Sequence, residues 1–136
     1  MKEYFKYPDK IIVSYAETNK QRFSKKVEDV EKGDLTIFIK KLRKNPEHLK
    51  SRPEMFTILP EKEKTLEVCK QAMSSSILYI MYVPDDIKEN TEFQEYVLNL
   101  VQSHAYFRIG VEILCSHVPE DLAGAIILLK EVKKND

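Results

Sequence analysis

The stretch Thr91-Glu-Phe-Gln-Glu-Tyr-Val-Leu-Asn-Leu-Val-Gln-Ser-His104 decides the fold class. Within it Phe93, Tyr96, Val97, Leu100, Val101 and His104 fall at offsets 0, 3, 4, 7, 8 and 11. That is one face of a 3.6-residue helix held for three turns, where a strand would alternate at every second residue. Thr91 reads as the N-cap, and Glu92 in the first turn answers the positive end of the helix. The pattern predicts that Phe93, Val97, Leu100 and Val101 lie in the core, with His104 as a hydrogen-bonded histidine in or at the edge of it.

Working outward, Leu35, Phe38, Ile39 and Leu42 give a second stripe at offsets 0, 3, 4 and 7. Gly33 reads as a stop before it and Asp34 as its cap. Lys40, Lys41, Arg43 and Lys44 occupy its other faces and last turn, where cations suit the negative helix end. Ile12, Tyr15, Ala16, Phe23, Val27 and Val30 make a rougher stripe interrupted at Asn19, and residues 1–12 also fit an extended segment. Thr65 caps a short helix carrying Val68, Cys69, Ala72 and Met73; Ser74-Ser75-Ser76 ends it, and Ile77 to Val83 forms another before Pro84. Pro119 opens the last helix, which runs from Leu122 to Val132.

Only three glycines occur, and six prolines are spaced as punctuation. A sheet needs many hairpins with permissive φ, so this spacing favours helices joined by short turns. The expected fold is one all-α domain over residues 1–136, an irregular bundle or stack of short helical hairpins with six to seven helices.

Composition agrees. A chain of 136 residues that is 43% hydrophobic and 32% charged is the size of one domain with a real core, and is neither disordered nor membrane-like. The longest aliphatic run, Ala125 to Leu129, has five residues; a membrane span needs about 20. Met1-Lys-Glu-Tyr-Phe-Lys6 lacks the apolar stretch of a signal peptide. A cytoplasmic protein with no membrane contact is expected. Net charge is zero but divided: residues 1–50 carry +5 and residues 51–136 carry −5. Opposed halves suit head-to-tail packing or separate surfaces for different partners.

A phrase recurs in Asn45-Pro-Glu-His-Leu-Lys50, Leu59-Pro-Glu-Lys-Glu-Lys64, Val83-Pro-Asp-Asp-Ile-Lys88 and Val118-Pro-Glu-Asp-Leu122. Physically it is a helix start: Pro presets φ, acids answer the dipole, and the apolar residue that usually follows dips inward. Together with Glu67-Val-Cys69, Ala72-Met73 and Tyr82-Val-Pro84, residues 59–88 resemble a family of short helical repeats of unassigned function found in bacterial and giant-virus proteins. The resemblance implies stacked helical pairs and no chemistry. Pro60 and Pro84 stand 24 residues apart, Pro84 and Pro119 35 apart, and Ser74-Ser75-Ser76 replaces the family's Asn-Gly region.

No residue pattern points to catalysis or to a cofactor. Cys69 and Cys115 sit among apolar neighbours, as buried thiols do. Cys115-Ser-His117 is one close pair, but residues two apart on a helix point to different sides, and a metal site wants four convergent ligands. Asp85-Asp86 and Glu120-Asp121 follow prolines at helix starts, where dipole compensation explains them. No Gly-rich phosphate loop, Gly-x-Ser-x-Gly or His-Glu-x-x-His occurs.

The segment with most functional content is the last helix. Leu122, Ala125, Ile126 and Leu129 define one face, and Ile127 and Leu128 lie to either side of it. At least one of these two must meet a second helix layer, a second copy of the chain or another protein. The reading is a non-catalytic protein–protein interaction module (an adaptor, inhibitor or effector-type protein) with Tyr79, Tyr82, Ile127 and Leu128 as contact residues. Its partner is another protein of unknown identity, with homo-oligomerisation as a variant. The alternative is a nucleic-acid-associated regulator using the basic 20–44 region, chiefly Lys40, Lys41, Arg43 and Lys44. It ranks second because Glu28, Asp29 and Glu31 follow Lys25-Lys26 and the whole chain is neutral.

Overall fold

The structure, a computed structural model, describes residues 7–135, with side chains through Lys130. Seven α-helices are present among these residues: α1 (Asp9–Val27), α2 (Lys32–Lys44), α3 (Leu66–Ser75), α4 (Asp85–Lys88), α5 (Thr91–Ser103), α6 (Arg108–Ser116) and α7 (Glu120–Asn135). Four 3₁₀ segments join them, Pro46–Ser51, Pro53–Ile58, Glu61–Glu63 and Ile77–Tyr82. The fold is all-α, with no strand among the described residues.

Helix starts follow local chemistry, though not always at the expected residue. Thr65 caps α3, its Oγ1 accepting from Val68 N at 3.3 Å. The cap of α5 is Asn90 rather than Thr91: Asn90 Oδ1 accepts from Phe93 N at 3.0 Å, and Thr91 becomes the first helical residue. Helix α2 begins at Lys32, with Glu31 as the cap, so Gly33 and Asp34 lie inside its first turn. Gly33 does not adopt positive φ and therefore stops nothing, while Asp34 serves the dipole instead of the cap.

Residues 9–12 are helical, not extended. Pro8 sets the entry, and its carbonyl accepts from Ile11 N at 2.9 Å and Ile12 N at 3.2 Å; residues 1–6 of the segment expected to be extended lie outside the described residues. Asn19 does not break α1 either. It is buried, and its Nδ2 donates to Tyr15 O at 2.9 Å, which satisfies the amide within the helix.

All four Pro-acid phrases open helical turns: Pro46 starts Pro46–Ser51, and Pro60, Pro84 and Pro119 immediately precede Glu61–Glu63, α4 and α7. The centre of the molecule is the 3₁₀ segment Ile77–Tyr82, packed between α3, α6 and Pro53–Ile58. Ile77, Leu78, Tyr79 and Ile80 are all buried, a four-residue run that only a segment covered on every side shows. A contiguous cluster extends from Phe23 of α1 to Ile127 of α7. Phe93, Val97 and Val101 are fully buried, as the α5 stripe requires, and Leu100 is half-buried at its margin.

Candidate functional site

Helix α7 separates its apolar excess into two directions. Leu122, Ile126 and Ile127 are buried, at 3%, 0% and 6% exposure, while Leu128 is 57% exposed. At 100° per residue, Leu128 points 200° from Ile126, so a helix seated on Ile126 turns Leu128 outward.

Lys130, which is buried, ties α7 to α5. Its Nζ donates to Val101 O at 3.1 Å and His104 O at 3.3 Å, at the C-terminal end of α5, and lies 5.8 Å from the Tyr106 ring centre. With α7 held there, a groove of about 540 Å³ opens between the two helices. Leu98, Glu95, Asn99 and Gln102 of α5 and Ala125, Leu128 and Leu129 of α7 line it. It offers an aliphatic floor with a carboxylate and two amides on the α5 side. Covering Leu128 there would contribute roughly 1–1.5 kcal/mol, about half the value of a fully buried leucine.

Of the residues expected to make contacts, only Leu128 belongs to this groove. Ile127 packs into the core and is not available to a partner. Tyr79 is likewise buried, at 3% exposure; it stacks on Phe23 with ring centres 4.5 Å apart and meets Phe56 edge-on at 6.0 Å. Burial pushes its hydroxyl well above the ordinary tyrosine value. Its place in the central segment is what removes it from the surface. Tyr82 is half-buried, edge-on to Phe23 at 6.2 Å, and its carbonyl accepts from Lys64 Nζ at 2.8 Å. It lines a separate depression with Lys64, Met81 and Pro84. Leu98 is the groove residue the sequence could have shown: it is aliphatic yet lies off the core stripe of α5.

The basic candidates also divide. Lys40, Lys41 and Lys44 are exposed, on the same side of α2 as Ile37, which is 56% exposed. Arg43 leaves this set. Its Nε and Nη2 bond Glu63 Oε1 and Oε2 at 2.9 and 2.6 Å, a two-point pair that fixes α2 to the Glu61–Glu63 turn.

The thiols and histidines do not converge. Cys69 is buried and Cys115 half-buried, and burial pushes each thiol up to about 12. His104 is exposed rather than in or at the edge of the core, because α5 ends at Ser103; its Nδ1 lies 3.2 Å from Leu100 O. His117 is half-buried and held below the ordinary histidine value, by burial and then by Lys88 and Lys20. Among the described residues, no three His, Cys, Asp or Glu side chains are grouped to hold a metal, and no helix is long and apolar enough to cross a membrane.

Comparison with protein-family models, curated proteins and solved structures finds no match to this chain.

Proposed function

We propose that the chain is a non-catalytic protein–protein interaction module of adaptor, inhibitor or effector type, working in the cytoplasm and receiving its partner in the α5/α7 groove. The observation that carries this reading is Leu128: a leucine 57% exposed beside Leu98, Ala125 and Leu129 in one cleft. Aliphatic anchors in a concave site with a polar rim are what protein interfaces use for affinity. The test is affinity capture with the wild-type chain and with Leu128→Glu, alongside thermal unfolding of both. Lost capture with an unchanged melting temperature supports the groove; capture retained at wild-type level removes it.

A second reading rests on Lys40, Lys41 and Lys44, which share an exposed side of α2. Three such cations suit a phosphate backbone, whose binding weakens steeply with salt. Tight nucleic-acid binding at physiological salt, abolished by reversing all three lysines to Glu, would place this reading first.

A further inference from the structure

Resting on the docking reading above, we infer that the partner element received by the groove is a single amphipathic helix with an aliphatic stripe and a basic flank. Shape carries the first half. The lining residues Glu95, Leu98, Asn99 and Gln102 follow the i, i+3, i+4, i+7 spacing of one helix side, and Ala125, Leu128 and Leu129 follow it on the other. Two such ridges enclose a valley that a third helix fills with side chains of the same spacing. A peptide adding as a strand would need a sheet edge, and the described residues contain no strand; an extended polyproline-type peptide docks on aromatic-lined grooves, and no aromatic side chain lines this one.

Charge carries the second half. Residues 89–129 contain six acidic residues and one cation, Arg108. The next cation, Lys130, directs its Nζ to Val101 O and His104 O, away from the groove. Two of the acids are engaged elsewhere: Glu92 pairs with Lys70 of α3, and Glu112 is buried. Glu95 stands in the groove lining, exposed. Asp121, also exposed, precedes Ala125 by one turn on the same side of α7. A partner entering this valley meets aliphatic surface bordered by carboxylates, and Lys or Arg on its flank answers them.

The test uses the full chain and two 16-residue model peptides with the same leucine stripe at i, i+4, i+7 and i+11, one flanked by Lys and one by Glu. Binding is followed by fluorescence anisotropy at low and high salt. We expect the Lys peptide to bind about 10-fold more tightly at low salt, with the difference shrinking at high salt. E95K should reverse the preference, and L128E should abolish binding of both peptides while leaving the melting temperature unchanged. Equal binding of the two peptides, abolished by L128E, overturns the basic flank and leaves the groove standing. Failure of the Lys peptide to bind, or binding that L128E does not touch, overturns the helix-in-groove assignment itself. A dimer in sedimentation velocity that L128E dissociates assigns the groove to a second copy and overturns the proposal too.

Discussion

Lys130 Nζ donates to the main-chain carbonyl of Val101 at 3.1 Å, from one helix into the end of another. The last carbonyls of α5 have no partner within the helix, and a buried cation satisfies two of those at its C-terminal end while opposing the negative dipole. The contact ties α7 to the end of α5, beside the groove that the two helices line. Lys130→Met keeps the aliphatic stem and removes the donor, leaving those carbonyls short of a partner. The expected loss is about 1–3 kcal/mol in urea unfolding, and an unchanged midpoint would show that the contact is not stabilising.

Glu63 provides the pH-dependent counterpart. The hydrogen bonds from Arg43 hold its carboxyl below the ordinary glutamate value, against the opposing effect of burial. A depressed folded value means that the stabilisation is complete above the unfolded glutamate value of about 4.3 and is lost as pH falls through the lower folded value. Wild type should therefore lose more melting temperature between pH 7 and pH 3 than Glu63→Gln does. Parallel curves for the two proteins would show the pair to be neutral. Arg43 is largely exposed, so added salt should narrow the difference.

Much of the fold was legible because its signals are local. The α5 stripe identified Phe93, Val97 and Val101 correctly, and the Pro-acid phrases marked four turn starts. Two adjacent polar residues can each cap a helix, which is why Asn90 displaced Thr91; at α2 the helix simply begins one turn early, at Lys32, with no side-chain cap hydrogen bond from Glu31. The 3₁₀ segments were less legible: with three residues per turn, Ile77 to Tyr82 carries no 3.6-residue stripe, and burial of all four residues from Ile77 to Ile80 comes from tertiary cover. That cover hid Tyr79. The groove was half visible, in Leu128; its α5 wall depends on the packing of two helices, which no single stripe encodes.

The α5 face predicts a graded mutational series. Phe93 is fully buried, so Phe93→Ala should cost about 3–5 kcal/mol. Leu100, at the margin of the same face and half-buried, should cost less on truncation to Ala, about 1–2 kcal/mol. Chemical denaturation of the two variants measures the order. A larger loss at Leu100 than at Phe93 would contradict the orientation of α5.

Both cysteines should resist alkylation while the chain is folded. Burial raises each thiol to about 12, so the reactive thiolate is scarce at neutral pH, and the Cys69 sulfur is also sterically covered. Iodoacetamide at pH 7.5 should modify Cys69 only in urea, with Cys115 reacting slowly in the native state. Rapid native labelling of Cys69 would show that the α3 packing is wrong.

Ile127 and Leu128 are adjacent in sequence yet opposite in role, and this contrast decides whether α7 is oriented as described. Ile127 is 6% exposed and Leu128 is 57% exposed. Truncating the first to Ala leaves a cavity that neighbours fill only in part, so the loss should be about 2–4 kcal/mol. Truncating the second removes atoms already largely in water and should change stability by roughly half a kcal/mol or less. Each Ala variant isolates packing because neither introduces a charge. If α7 were rotated by 100° so that Ile127 faced outward, Leu128 would take the half-buried place now held by Leu129, and the order of the two losses would reverse. Urea unfolding of the pair therefore reads the rotation of the helix directly. Comparable large losses at both positions would mean that Leu128 is covered in solution, by another copy or by the chain itself. A large loss at Ile127 alone leaves Leu128 as a side chain that stability does not require, available for a partner.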